Sequence, residues 1–185
     1  MGYQIEIKEG HDTSSYFWFR PAIVKNLEKI TYEDVELLGE EISIEEGYIE
    51  CFLAYFLYKY FDEELFINKH RYEYGVEDGY IQRFEWYLTH NFYTYECMYK
   101  MLKDIEETTE LLEKDYNNEK LTKLKERFSI FYLCESNHLD YIARDNRSIE
   151  KHKGVIINFY TRFVERMRKM MENNPETNVI SIMGP

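Results

Sequence analysis

The chain has 185 residues, a formal net charge of −12 and an apolar share of 44%. A chain of this length is expected to form a single globular domain over 1–185, burying roughly 70% of its unfolded surface without help from a metal or a disulfide. So acidic a surface repels a phosphate backbone, which argues against direct broad nucleic-acid binding.

In chain order, Tyr3, Ile5 and Ile7 alternate with polar residues and predict a strand over 3–8. A polar turn with Gly10 follows, then a second short strand over 16–21 that Pro21 should end. The two suggest an N-terminal hairpin. Residues 22–30 read as a short helix or turn. Thr31, with Asp34 three residues on, has the spacing of a capping box for a helix over 31–39. Ser43 and Glu46 repeat that spacing before a helix over 44–61. Its Ile49, Phe52, Leu53, Phe56, Leu57 and Tyr60 recur at three and four. Tyr55 and Tyr58 turn toward another face, so burial on more than one side is expected.

A long helical pattern without Pro or Gly covers 80–116, striped by Phe84, Leu88, Phe92, Tyr95, Met98 and Leu102. Asn117 and Asn118 break it. A further helix is expected over 119–141. Ser148 should cap the last, which ends near Asn173, Asn174 and Pro175, with Ile156, Phe159, Phe163, Met167 and Met170 facing the core. The tail over 178–183 is strand-like and could join the first strand. The expected fold is mainly α, a four-helix-type bundle with a small β element formed by the N-terminal hairpin and joined by the C-terminal strand.

Cys51, Cys97 and Cys134 lack CxxC spacing and lie in apolar stretches, so buried free thiols in a reducing compartment are expected. Residues 1–6 have no basic or apolar leader character, and no run reaches 18 apolar residues. A cytoplasmic protein is expected.

Charge is unevenly distributed. Residues 1–143 hold 30 acidic and 15 basic side chains, residues 144–185 hold 5 acidic and 8 basic. The run over 31–50 carries Glu33, Asp34, Glu36, Glu40, Glu41, Glu45, Glu46 and Glu50 and not one Lys or Arg. Carboxylates this dense repel one another unless a basic group covers them. They are the expected partner-binding residues, with nearby tyrosines as anchors.

Catalytic patterns are sparse. Glu135 and His138 have E-x-x-H spacing, a ligand pair that di-iron bundles use twice over; here there is one pair. Arg147 and His152 fit R-x4-H, and Arg83 and His90 fit R-x6-H, the spacings of HEPN-type ribonucleases, in which His is the acid–base group and Arg stabilises phosphate charge. His11 and Asp12 read as a turn. There is no Gly-rich phosphate loop, GxSxG or HExxH, and no cofactor is expected. The favoured reading is a non-enzymatic acidic interaction or inhibitor protein. It would occlude a basic partner surface, such as that of a nucleic-acid-binding enzyme, as immunity proteins and phage anti-defence inhibitors do. The alternatives are a HEPN-like ribonuclease at Arg147 and His152, a metal-binding bundle at Glu135 and His138, and an aromatic-faced homodimer.

Overall fold

The computed structural model describes residues 16–27, 34–45, 49–63, 90–125, 150 and 153–184. In chain order these form β1 (Tyr16–Val24), β2 (Val35–Leu37), β3 (Ile42–Glu45), a π-helical turn (Ile49–Leu53) running into α1 (Ala54–Glu63), β4 (His90–Thr94), α2 (Tyr95–Lys114), a 3-10 turn (Glu119–Leu121), α3 (Lys153–Asn173) and β5 (Val179–Met183).

The five strands make one antiparallel sheet, ordered β2-β1-β5-β4, with β3 beside β2 along the same flank of β1. A helical bundle with a terminal hairpin is therefore not the architecture; the protein is α+β, built on this sheet. Several predicted helices give way to strands. Residues 35–37, expected in a capped helix, pair with residues 22–24. Ser43, expected as a helix cap, lies opposite Trp18 inside β3. Of the helix expected over 44–61, residues 44–45 belong to β3, Ile49–Leu53 form the π-helical turn and the α-helix starts at Ala54. Phe92, expected on a helical stripe, lies opposite Ser181 in β4.

The expected strand over 3–8 lies outside the described residues. Both flanks of β1 are occupied at Trp18 and Phe19, by β3 on one side and β5 on the other, so no hairpin partner fits beside them. The tail does form a strand, inserted between β1 and β4. Asn178 extends that pairing by one step: its amide oxygen accepts from Val24 N (2.9 Å) and its nitrogen donates to Val24 O (3.0 Å).

Pro21 does not end β1. In an antiparallel ladder the N–H and C=O of one residue face the same neighbour. Pro21 O accepts from Leu38 N at 2.9 Å, so the missing N–H falls on the β2–β3 flank, where the partner changes. Here two residues of β1, Arg20 and Pro21, face the four of 38–41. This bulge tolerates a proline at a position that a regular ladder would not.

One sheet face carries Phe17, Phe19, Ile42, Ile44, Tyr93, Ile180 and Ile182, which join the helices in the main core. α3 lies against it through the stripe read from the sequence: Ile156, Phe159, Phe163, Met167 and Met170 are all buried. Phe163 meets Phe19 edge-on at 5.4 Å and stacks on Phe159 at 6.3 Å. Such ring pairs add to simple area burial. The other face holds a smaller cluster of Ala22, Val24, Phe92 and Val179. Cys97 is a buried free thiol, as expected.

α2 and α3 run antiparallel. Arg168 of α3 grips Glu106 of α2 in a two-point pair, Nε to Oε1 at 3.2 Å and Nη2 to Oε2 at 2.8 Å. α2 starts where Thr94 accepts from Cys97 N at 3.1 Å, an N-cap that the strand before it supplies. Two buried tyrosines tether the π-helical turn and α1: Tyr160 donates to Phe52 O and Tyr93 to Leu57 O, both at 2.7 Å. Tyr160→Phe would remove its buried hydrogen bond to Phe52 O, at a cost of about 0.5–1.5 kcal/mol. Urea unfolding should show that loss as a lower midpoint with an unchanged slope.

No helix among the described residues is long and apolar enough to cross a membrane.

Candidate functional site

The acidic run becomes a sheet edge, and the fold treats its carboxylates differently. Glu33 and Glu46 lie outside the described residues. Glu45 pairs by backbone with Tyr16, and Glu50 lies in the π-helical turn. Asp34 precedes β2 and is partly exposed; its carbonyl accepts from Lys25 N at 3.0 Å. Glu36, opposite Ile23, is exposed. Charged side chains on an edge strand also discourage pairing with other chains.

Glu40 and Glu41 occupy the bulge and go opposite ways. Glu41 lies 3.4 Å from Arg20 Nε, and its side chain is 9% exposed against 31% for the arginine. This carboxylate is neutralised within the molecule and is a poor contact for a partner. Glu40 instead accepts from Asn174 Nδ2 at 2.9 Å, at the end of α3.

Asn174 is the hub of this corner. Its amide also donates to Met170 O at 2.8 Å, closing the helix end. Its carbonyl accepts from Thr177 Oγ1 at 2.7 Å and from the Tyr95 hydroxyl at 3.1 Å. Tyr95 Oη and Thr177 Oγ1 also face each other, so two hydroxyl protons are shared among three contacts at this carbonyl. Burial pushes the Tyr95 phenol above its ordinary value; the Thr177 hydrogen bond opposes this, and nearby Tyr99, Glu176 and Glu40 raise it further.

The corner thus joins the β2–β3 bulge, the α3–β5 turn and the start of α2. Glu40 is tied to it through Asn174, and the exposed Glu176 lies in the α3–β5 turn beside Thr177. Neither carboxylate forms an ion pair with a base among the described residues. Tyr99, 39% exposed, is the exposed large apolar side chain of the described surface, and Arg168 stands 5.8 Å above its ring. A negative rim beside aromatic rings is an arrangement that attracts and holds cationic groups.

A pH test follows for Tyr95. At neutral pH its hydroxyl donates to Asn174 O in the folded protein, and Tyr95→Phe should cost about 1 kcal/mol. An unfolded tyrosine ionises near pH 10. The folded phenol, shifted upward, resists ionisation, so its contribution is complete below that pH and lost as pH rises through the folded value. The stability gap between wild type and variant should therefore shrink above pH ~10. A gap that stays constant or widens in urea titrations would contradict the shift.

The other sequence-derived candidates fare unevenly. Glu135, His138, Arg83, Arg147, His152, His11 and Asp12 lie outside the described residues. His90 starts strand β4, opposite Met183, so the R-x6-H spacing is not carried on one helix. No group of three or more His, Cys, Asp or Glu arranged to hold a metal occurs among the described residues. Sequence reading missed Tyr95, Asn174 and Glu176 as site residues. Only the helix-ending Asn174 and Pro175 hinted at a turn there, and nothing local paired it with residue 40.

Comparison with protein-family models, curated proteins and solved structures finds no match to this chain.

Proposed function

We propose that this is a non-enzymatic cytoplasmic binding protein whose acidic corner covers a Lys/Arg-rich surface on a partner protein, such as a nucleic-acid-binding enzyme. The carrying observation is Glu40, held by the Asn174 amide at the corner and, like the exposed Glu176 of the adjoining turn, paired to no basic side chain of the described residues. Asp34 and Glu36 of the same edge extend the negative potential. Tyr99 supplies an aromatic contact of the kind that dominates interface energetics. Opposite charge speeds encounter and selects against acidic competitors, while the ring supplies desolvated area.

The corresponding experiment is capture from lysate of the native host with the tagged full chain, at low and high salt. A specific partner of basic surface, held at about 50 mM salt and released near 0.5 M, supports the reading, because screening shortens the reach of exposed charges to a few ångströms. A partner retained equally at both salts through an apolar contact contradicts it.

A further inference from the structure

The exposed ring beside the acidic corner already carries a cation. Arg168 Cζ of α3 stands 5.8 Å from the centre of the Tyr99 ring, while its fork grips Glu106, Nε to Oε1 at 3.2 Å and Nη2 to Oε2 at 2.8 Å. Tyr99 and Glu106 lie seven residues apart on α2, two turns along one side of the helix, so a single guanidinium reaches both.

All three groups meet solvent. Tyr99 is 39% exposed, and the side chains of Arg168 and Glu106 are 34% and 45% exposed. An ion pair this open contributes little to holding two helices together. It does complete a cradle, made of a ring face and a two-point carboxylate acceptor and filled by a planar cation. Such a cradle suits a guanidinium better than an ammonium, which has no fork to match the carboxylate and no flat face to lay on the ring. Arg168 also has an alternative partner. Glu172, one turn further along α3, is exposed and in no ion pair among the described residues.

We propose that Tyr99 and Glu106 form a subsite for an arginine side chain of the basic partner, and that Arg168 fills it in the unbound chain as an internal competitor. This rests on the reading of the corner as a site for a basic protein surface. On docking, the incoming guanidinium takes the carboxylate and the ring, and Arg168 turns to Glu172. One exposed ion pair is exchanged for another, so the exchange itself costs little. The subsite selects arginine-rich over lysine-rich surfaces of equal charge.

The probes are capped tetra-arginine and tetra-lysine peptides, titrated calorimetrically into the full chain at about 50 mM salt, with near-UV circular dichroism to confirm each fold. Arg168→Met empties the subsite and should tighten tetra-arginine binding about tenfold. Arg168→Lys keeps the charge, gives up the two-point grip and should tighten it about threefold. Arg166→Met removes the same charge from an arginine in no ion pair among the described residues, and should gain less than about twofold. Tetra-lysine should gain no more from Arg168→Met than from Arg166→Met. Equal tetra-arginine gains for Arg168→Met and Arg166→Met, no gain for Arg168→Lys, or no tetra-arginine binding at all overturns the proposal. Arg168→Lys decides the matter even where Arg168→Met does not fold. Failure of the corner itself looks different: Glu40→Lys with Glu176→Lys would then leave tetra-arginine binding unchanged while the Arg168 variants still gain.

Discussion

Replacing Phe163 by Ala is expected to lower stability by about 3–5 kcal/mol, a large part of the 5–15 kcal/mol that holds a typical domain together. Phe163 is fully buried and touches both layers of the protein: Phe19 of β1 on the sheet and Phe159 on its own helix. Truncation removes the ring's transfer free energy and leaves a hole that the sheet and α3 cannot both close. Its ring neighbours have little room to relax, since Phe19 is fully buried and Phe159 is itself packed against Phe52 and Tyr160. Tyr99→Ala, on the surface of α2, should change stability by less than about 0.5 kcal/mol. A Phe163→Ala loss below about 1 kcal/mol in urea unfolding would mean that the sheet–α3 seam is not the main core.

The helices of the second half were legible because their apolar residues keep the 3.6-residue period. Ile156, Phe159, Phe163, Met167 and Met170 mark α3, and Met98, Leu102, Ile105 and Leu112 mark α2; all are buried. The sheet was legible only in part: β1 and β5 were read as strands, though β1 was expected to end at Pro21, while β2, β3 and β4 were assigned to helices. β2 and β3 span only three and four residues, too short for any period to register. Local cap chemistry then misled: Ser43 has the spacing of a helix cap, but its neighbours Ile42 and Ile44 pack into the core from a strand opposite Phe19 and Phe17. Pairing partners far along the chain overrode the local preference.

The acidic run was visible in the sequence, but not the fate of its members. Position along the chain says nothing of a bulge that turns Glu41 onto Arg20 and Glu40 onto Asn174. Arg20 lies eleven residues outside the basic-free run, across a strand register that only the fold sets. Glu176 joins the site because β5 inserts beside β1 and brings the preceding turn to the bulge. The candidate site is therefore part local charge and part topology.

The second large effect concerns that corner. Glu40→Lys with Glu176→Lys inverts the potential where a cationic partner would dock, and should weaken partner affinity at low salt at least about tenfold, ~1.4 kcal/mol. Glu41 is left intact, because a lysine there would face Arg20. Glu40→Gln with Glu176→Gln serves as the structural control: glutamine keeps an oxygen for the Asn174 amide, so the corner stays assembled while its charge is gone. Affinity should fall in the order wild type, glutamine pair, lysine pair, with thermal unfolding nearly constant. The direct measurement is the dissociation constant of the captured partner for these three proteins at about 50 mM salt, where exposed charges reach farthest. A graded loss with charge is the predicted result, and equal affinities across the three would contradict the claim that this acidic corner is the binding surface.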